Sequence, residues 1–267
     1  MTRVTAVQLA LTTGDVPGNR RSGRDAIAAA VAGGAELVVL PELSDTGYVF
    51  TDRAEAEALA DPGPTIDGWV RAARESAVVV VGGYCDRVDG NLTNSAVVVD
   101  ARGVLARYDK AHLWGREPEV FTPGTTPPPV VDTAVGRVGV LVCYDLEFPE
   151  WVRLAAGSGA DVIAAPVNWP LADRPAGERP IEVVKAQAAA AYYGVHVVVA
   201  DRCGDDRGTR WVGGACVVDR TGYLAAGPTL VDAAGLVTAD LDLAAARDKR
   251  LGPHNHLVDD RRPGLYG

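Results

Sequence analysis

One cysteine stands at a point in the chain where reactive side chains are often displayed. Cys143 follows an apolar run from Val138 to Val142 and precedes Pro149, which can begin a helix. A thiol at such a strand-to-helix turn lies near backbone N–H groups, which can favour the thiolate and leave the sulfur accessible. Taken alone, a cysteine at a strand end is more often a buried structural residue. Its neighbours in space must decide between the two interpretations.

Two charged side chains also lie just beyond predicted strands. Glu42 follows the apolar run that ends at Leu40, and Lys110 follows a strand and turn that end near Leu105. Ligands of open α/β sheets bind at the carboxyl ends of the strands, so Glu42 and Cys143 are predicted to meet there. Taken singly, Glu42 is better explained as a solvated loop residue, and Lys110 is as easily an ordinary surface lysine. Together, a thiol, a carboxyl and an ammonium group supply the nucleophile, proton carrier and oxyanion partner that amide hydrolysis needs.

The elements that must position these residues alternate between two kinds of pattern. Short β-branched runs predict strands at Val4 to Leu9, Leu37 to Leu40, Val78 to Tyr84, Asn94 to Val99, Val138 to Val142, Val162 to Ala165, Val195 to Ala200, Gly214 to Val218 and Gly235 to Leu241. Ala-rich stretches predict helices at Arg20 to Gly33, Ile66 to Ser76, Pro149 to Ser158 and Ile181 to Tyr193. Asp89-Gly90 and the stretch from Asp219 to Gly222 predict hairpins. The class is therefore α/β with mixed sheets.

Composition limits the partners of the chain. Its 267 residues are 48% hydrophobic and 23% charged, which predicts a single globular domain over residues 1–267. A net charge of −9 argues against nucleic acid and anionic membrane surfaces and favours a small-molecule partner. No apolar run approaches the ~18 residues of a membrane span, and the first residues indicate a strand rather than a signal peptide. We therefore expect a cytoplasmic protein.

The remaining cysteines suggest neither a disulfide framework nor a metal site. Cys85, Cys203 and Cys216 share no zinc-binding spacing with Cys143 or with a histidine. Four cysteines in a chain of this length are also too sparse for a disulfide scaffold. We expect free thiols.

Taken together, the three segments resemble the nitrilase superfamily, the carbon–nitrogen hydrolases. The stretch from Pro41 to Tyr48 matches a P-E-x-x-x-x-G-Y motif, Lys110 opens K-x-H-L, and Cys143 opens C-Y-D-x-x-F-P-E, in the order of the family. Similarity extends to Asn94-Ser95, to Asn168-Trp169 and to the segment from Asp260 to Tyr266. It therefore covers essentially the whole chain.

The resemblance implies roles for particular residues. Cys143 is the expected nucleophile, Glu42 the general base and acid, and Lys110 the cation that faces the oxyanion, helped by the backbone N–H of Tyr144. A second family glutamate aligns with Glu117, with Glu119 as the alternative.

Further residues enter the expected site through the same resemblance. Asn168, Trp169 and Glu147 are expected to contact the substrate. His112 is expected to be structural rather than the base of a Cys–His pair. Asp145 and Arg153 look suited to an ion pair that fixes the turn.

The implied fold is a four-layer α-β-β-α sandwich that contains two mixed β-sheets. The resemblance further implies a homodimer or higher homo-oligomer, with a C-terminal tail, residues 252–267, packing at the interface. No metal or organic cofactor is expected, because side chains supply every catalytic group.

The resemblance leaves the substrate open. We expect an amidase acting on small aliphatic amides, because Glu147 stands where many relatives carry an arginine; this glutamate is equally well explained as a solvent-facing residue. Nitrilases and N-carbamoyl amino acid hydrolases use the same three residues. Arg174, Arg179 and Arg202 are candidate partners for the carboxylate of a carbamoyl substrate. A non-catalytic binding or scaffold protein is the alternative of another class.

Overall fold

The computed structural model describes residues 1–266. Strands within them are β1 (Thr2–Ala10), β2 (Leu37–Val39), β3 (Val79–Val88), β4 (Asn91–Asp100), β5 (Gly103–Asp109), β6 (Val130–Thr133), β7 (Gly136–Val140), β8 (Val162–Pro166), β9 (His196–Ala200), β10 (Arg202–Cys203), β11 (Asp205–Asp206), β12 (Thr209–Arg210), β13 (Cys216–Val218), β14 (Leu224–Ala226) and β15 (Gly235–Leu241). Helices are α1 (Val16–Ala32), α2 (Arg53–Leu59), α3 (Pro62–Ser76), α4 (Glu117–Val120), α5 (Pro149–Gly157), α6 (Ile181–Tyr193) and α7 (Pro263–Tyr266). Gly267, the last residue of the predicted tail, lies outside the described residues.

The first sheet has β1, β2 and β3 in parallel at its centre. Val38 of β2 pairs with Thr5 on one side and with Val80 on the other. Strands β4 and β5 continue the sheet antiparallel beyond β3, while β15 and the short β10 both pair with β1. Leu37 and Val39 face one apolar core and Val38 faces another, so β2 is buried on both faces of the sheet, which explains why all three of its residues are apolar.

The second sheet follows the order β14-β13-β9-β8-β7-β6. Its strands β7, β8 and β9 are parallel, and antiparallel strands flank them on both sides. The carboxyl ends of β7 and β8 therefore lie side by side, and each is followed by a predicted site residue, Cys143 and Asn168 respectively.

The two sheets pack face to face, with helices on the outer faces. Buried residues of both sheets, such as Val39 and Val198, belong to one apolar core. A second core joins the first sheet to α1 and α3, for example through Ile27 and Trp69, and α5 and α6 pack on β7 and β9. This arrangement confirms the predicted α-β-β-α sandwich with two mixed sheets.

Most predicted elements are present, with shifted ends. Helix α1 begins four residues earlier than predicted, at Val16, because the side chain of Asp15 accepts a hydrogen bond from the N–H of Gly18 and caps it. Both predicted hairpins are present, joining β3 to β4 and β13 to β14. Helix α2 was not predicted, since its sequence from Arg53 to Leu59 is dominated by charged residues and alanine rather than by an apolar stripe.

None of the helices in residues 1–266 is long and apolar enough to cross a bilayer. Cys85, Cys143, Cys203 and Cys216 are free thiols, as expected, and all four are buried.

Candidate active site

Cys143 occupies a sharp turn at the end of a strand. Strand β7 ends at Val140, a 3-10 turn runs from Cys143 to Glu147, and α5 follows from Pro149. The backbone of Cys143 has a φ of +47°, in the left-handed region that residues other than glycine rarely adopt. Such conformations persist where the surrounding structure imposes them, commonly at active sites.

Asp145 holds this turn in place, but its partners are not the predicted one. Its carboxylate accepts hydrogen bonds from the backbone N–H of His112 at 3.0 Å and from the hydroxyl of Tyr108 at 2.8 Å, and Nδ1 of His112 lies 2.7 Å away. The predicted ion pair of Asp145 with Arg153 is therefore wrong. The segment that carries Lys110 packs against the turn and places His112 beside the carboxylate of Asp145 instead. His112 also stacks on Phe148 at 3.8 Å between ring centroids, which gives it a structural place.

The structure brings Lys110 between two carboxylates. Its Nζ lies 2.7 Å from Oε1 of Glu42 and 2.7 Å from Oε1 of Glu117, and all three side chains are buried. Oε1 of Glu42 also accepts from Nδ2 of Asn94 at 2.7 Å. Oε2 of Glu42, by contrast, is buried without a hydrogen-bond partner among the described residues, so it is free to receive a proton.

Glu117, rather than Glu119, is the second glutamate of this cluster. Its Oε1 accepts from the hydroxyl of Tyr48 at 2.6 Å, and its Oε2 accepts from the backbone N–H of Trp114 at 3.0 Å. Glu119 is exposed and pairs with Arg116. Two rigidly held oxygens on Glu117 fix the position of the Lys110 ammonium group.

Burial and charge set the protonation states of the cluster. Burial and the charge of Glu117 raise the pKa of Glu42 to about 7, although Lys110 acts in the opposite direction. Burial disfavours the Lys110 ammonium, but Glu42 and Glu117 outweigh it and raise the pKa of Lys110 above its usual value. A base with a pKa near 7 can both take and return a proton at neutral pH.

The surroundings of Cys143 favour the protonated thiol over the thiolate. Burial and the neighbouring charge of Glu42 raise its pKa well above the usual value, and Lys110 only partly offsets them. Burial therefore opposes the stabilisation of a thiolate that the strand-to-helix turn was expected to provide. Removal of the proton must accompany the reaction, and the free oxygen of Glu42 is suited to accept it.

The predicted residue pair Asn168-Trp169 connects the nucleophile to the base. The backbone carbonyl of Asn168 accepts a hydrogen bond from Sγ of Cys143 at 3.8 Å, and its Nδ2 donates to the backbone carbonyl of Glu42 at 3.0 Å. The backbone N–H of Trp169 donates to Asp201 at 3.0 Å. Asn168 thus ties together the two strand ends that carry Glu42 and Cys143.

A narrow cavity of about 40 Å³ opens at Cys143. A water molecule takes up ~30 Å³ of liquid, so the cavity leaves little space beside the sulfur. Four more of the predicted site residues line it: Tyr144, Glu147, Asn168 and Trp169. The lining also includes three residues that were not predicted, Trp114, Pro170 and Glu182.

The charges near this cavity differ from those expected. Glu147 does line the cavity, and it is ion-paired with Lys185 of α6. Arg174 and Arg179 line a separate groove, and they donate to the carbonyl of Glu178 and the side chain of Gln187, respectively. None of the three candidate arginines is among the described residues that line the cavity at Cys143.

The third candidate, Arg202, is fully buried away from that cavity. It pairs with Asp206 at 3.0 Å, donates to the carbonyl of Leu11 and stacks on the ring of Trp211. Its guanidinium therefore serves the packing of the loop that follows β10.

Several contributors to the site were not singled out from the sequence. Asn94 and Tyr48 lay inside matched motifs, which was a signal that they belong to the site. Trp114, Glu182 and Lys185 had no such signal, because they reach the cavity through the packing of a loop and of helix α6. Among residues 1–266, no group of three or more His, Cys, Asp or Glu side chains is placed to hold a metal ion.

Comparison with known proteins identifies the family. The model of the carbon–nitrogen hydrolase family matches residues 3–251. A nitrilase of Pyrococcus abyssi is 37% identical over 237 residues, which cover 87% of this chain and 87% of that protein. An (R)-stereoselective amidase of a Pseudomonas species is 34% identical over 279 residues, covering 99% of this chain and 98% of that protein.

Solved structures agree with this assignment. An amidase from Nesterenkonia sp. AN1 superposes with a TM-score of 0.81 at 28% identity, covering 99% of this chain and 98% of that one. A mutant of that amidase, with a TM-score of 0.78, 28% identity and coverage of 94% and 97%, carries acrylamide added to its active-site cysteine. The chain therefore belongs to the carbon–nitrogen hydrolases of the nitrilase superfamily, and it is a C–N hydrolase of the amidase type.

Proposed function

We propose that this enzyme hydrolyses small aliphatic amides to carboxylic acids and ammonia through a thioester on Cys143. The observation that carries the proposal is the cluster in which Lys110 is held between Glu42 and Glu117, while one oxygen of Glu42 is left without a partner. This cluster, beside a buried thiol, combines a proton carrier, a fixed cation and a nucleophile.

In the proposed cycle, Glu42 takes the thiol proton as the sulfur of Cys143 attacks the amide carbon. The carbonyl oxygen becomes an oxyanion, which Lys110 and the backbone N–H of Tyr144 stabilise. The C–N bond then breaks, and the nitrogen leaves as ammonia with the proton that Glu42 held. A thioester remains on Cys143.

Water completes the cycle by the same proton route. Glu42 takes a proton from the water as its oxygen attacks the thioester carbon, and Glu117 keeps Lys110 in position. Collapse of the second tetrahedral intermediate breaks the C–S bond and releases the acid, while the proton on Glu42 returns to the sulfur. The pKa of about 7 of Glu42 suits both directions of transfer.

The size and charge of the cavity support small amides without a carboxylate. Its volume is about 40 Å³, and the charged residues in its described lining are Glu147 and Glu182. A substrate carboxylate, such as that of an N-carbamoyl amino acid, would meet like charge there. This observation favours an amidase over a carbamoyl hydrolase.

Ammonia release across a matched panel of amides, nitriles and N-carbamoyl amino acids tests the proposal. Amides such as propanamide should give the highest kcat/KM. Faster turnover of nitriles or carbamoyl compounds would replace the proposed substrate class. No turnover of any member, with folding confirmed by circular dichroism, would instead favour the scaffold alternative.

We also propose that the protein is a homodimer or larger homo-oligomer. Helix α6 exposes Val184 and Tyr192, and the segment that follows residue 250 exposes Leu251 and Val258. Exposed apolar side chains on neighbouring elements favour an interface between protein copies. Sedimentation equilibrium would test this, and a mass of one chain at micromolar concentration would contradict it.

A further inference from the structure

Two carboxylates line the cavity at Cys143, and their surroundings differ. Glu147 is ion-paired with Lys185. Glu182 is half-buried in the first turn of α6, and its side chain has no hydrogen bond or ion pair with the residues of the described chain. Its charge is therefore the less compensated of the two.

The sum of charges at the cavity wall is negative. Glu147 and Lys185 cancel, which leaves the single negative charge of Glu182. Lys110 cannot compensate it, since its ammonium is shared between Glu42 and Glu117. Glu182 lies in the first turn of α6, where the helix dipole stabilises a negative charge.

Glu182 lies between the cavity at Cys143 and a larger neighbouring groove. It lines both the cavity at Cys143 and the adjoining groove of about 350 Å³ that contains Arg174 and Arg179. Arg174 donates to the backbone carbonyl of Glu178, and Arg179 donates to the side-chain oxygen of Gln187. The three carboxylates of the groove lining, Asp173, Glu178 and Glu182, outnumber these two cations. Trp114 also lines the cavity, and an indole ring can attract a cation to its face.

We propose that Glu182 and Trp114 form a subsite for a cationic group, and that the preferred substrates are small amides bearing an ammonium group at the end distant from the amide. This inference rests on the proposed function, because it names the substrate class of the same site. An ammonium group beside Glu182 gains an opposite charge in a partly closed cavity, where salt screens less than at the surface.

The first test compares two amides of equal length, 4-aminobutanamide and pentanamide. Wild-type enzyme should prefer the amino amide by on the order of tenfold in kcat/KM at low salt, and the preference should shrink as salt rises. Glu182→Gln should abolish the preference, while Glu182→Asp, which keeps the charge, should retain most of it. Glu178→Gln is the matched control, because Glu178 lines the groove but not the cavity.

The second test does not depend on amide turnover. Acrylamide and N-(2-aminoethyl)acrylamide would be compared as labels of Cys143, by mass spectrometry of the Cys143 peptide, in wild type and Glu182→Gln. Faster labelling by the cationic reagent, lost in Glu182→Gln, supports the subsite even if no amide is hydrolysed, in which case the proposed function alone fails. If wild type and Glu182→Gln rank the cationic and neutral compounds in the same way, in hydrolysis or in labelling, the subsite proposal is wrong.

Discussion

Asn94 and Glu42 are joined by a 2.7 Å hydrogen bond at the same carboxylate oxygen that accepts from Lys110. Both donors therefore hold Oε1, and the buried Oε2 is left without a partner in residues 1–266. This asymmetry separates two tasks within one carboxylate, since one oxygen is positioned and the other can exchange a proton.

The pH profile should report the protonation of Glu42. We expect kcat/KM to fall as pH falls below about 7, because a base with a pKa of about 7 is increasingly protonated there and can no longer take the thiol proton. The decline should approach tenfold per pH unit. The apparent pKa belongs to the coupled cluster rather than to Glu42 alone. A profile that is flat between pH 5 and 7 would exclude Glu42 as the base.

Asn94→Ala should shift the acidic limb of the kcat/KM profile, in which activity falls as pH falls, to higher pH. The hydrogen bond from Asn94 favours the ionised carboxylate and lowers the pKa of Glu42, so its loss raises that pKa, by about one unit for a bond to a charged group. The kcat/KM profile of the variant would be compared with that of Asn91→Ala, an exposed asparagine of the same strand. A limb that does not move, or that moves to lower pH, contradicts the assignment.

Cys143→Ala should abolish turnover without unfolding the protein, because it removes the proposed nucleophile and little volume. Ammonia release measures the first effect and circular dichroism the second. Cys216→Ala is the control, since Cys216 is equally buried but lies in strand β13 away from the cavity. Activity above a trace in the Cys143 variant, after dialysis and with the mutation verified by mass, would show that another group attacks the substrate.

Trp114→Ala should broaden the range of substrates. Trp114 and Pro170 line both the narrow cavity and an adjacent aromatic cavity of about 250 Å³, whose walls include Tyr48, Phe121 and Trp211. Removing the indole joins the two spaces, so kcat/KM for phenylacetamide relative to propanamide should rise at least ~10-fold. The backbone N–H of residue 114 still reaches Glu117. Tyr223→Ala, an exposed aromatic residue outside both cavities, serves as control. An unchanged ratio would mean that Trp114 does not limit substrate size.

Local pattern was enough to predict the backbone around the nucleophile. An apolar strand followed within a few residues by Pro149 specifies a turn, and the structure has that turn at Cys143. Helix α6 was predicted from Ile181 to Tyr193 with both ends correct, since Pro180 precedes it and Gly194 ends it in the left-handed conformation. The order of motifs along the chain supplied the rest of the fold.

Contacts between distant segments were beyond the reach of local pattern. Arg153 and His112 were both plausible partners for Asp145, and only the packing of the Lys110 segment decides for His112. The charge of the cavity wall could not be derived from the sequence for the same reason. Glu147 was recognised from its place after the nucleophile, but Lys185 and Glu182 lie on α6, whose rotation about its axis the sequence does not specify closely enough. The thiol protonation state depends on burial, which is a property of the whole fold.

The ion pair of Glu147 with Lys185 allows the cavity charge to be changed in single steps. Counting Glu147, Glu182 and Lys185, the wild-type charge is −1. Lys185→Met makes it −2, Glu147→Gln makes it 0, and the double variant restores −1. Preference for 4-aminobutanamide over pentanamide should therefore be greatest in Lys185→Met, equal in wild type and double variant, and least in Glu147→Gln. Because Lys185 and Glu147 are partly exposed, each step should change the kcat/KM ratio by only about threefold. All four proteins should show smaller differences at 1 M salt.

The double variant distinguishes charge from shape, since it lacks both native side chains of the pair. If its ranking resembles that of either single variant rather than that of wild type, the pair acts through packing, and its charge does not set the substrate preference.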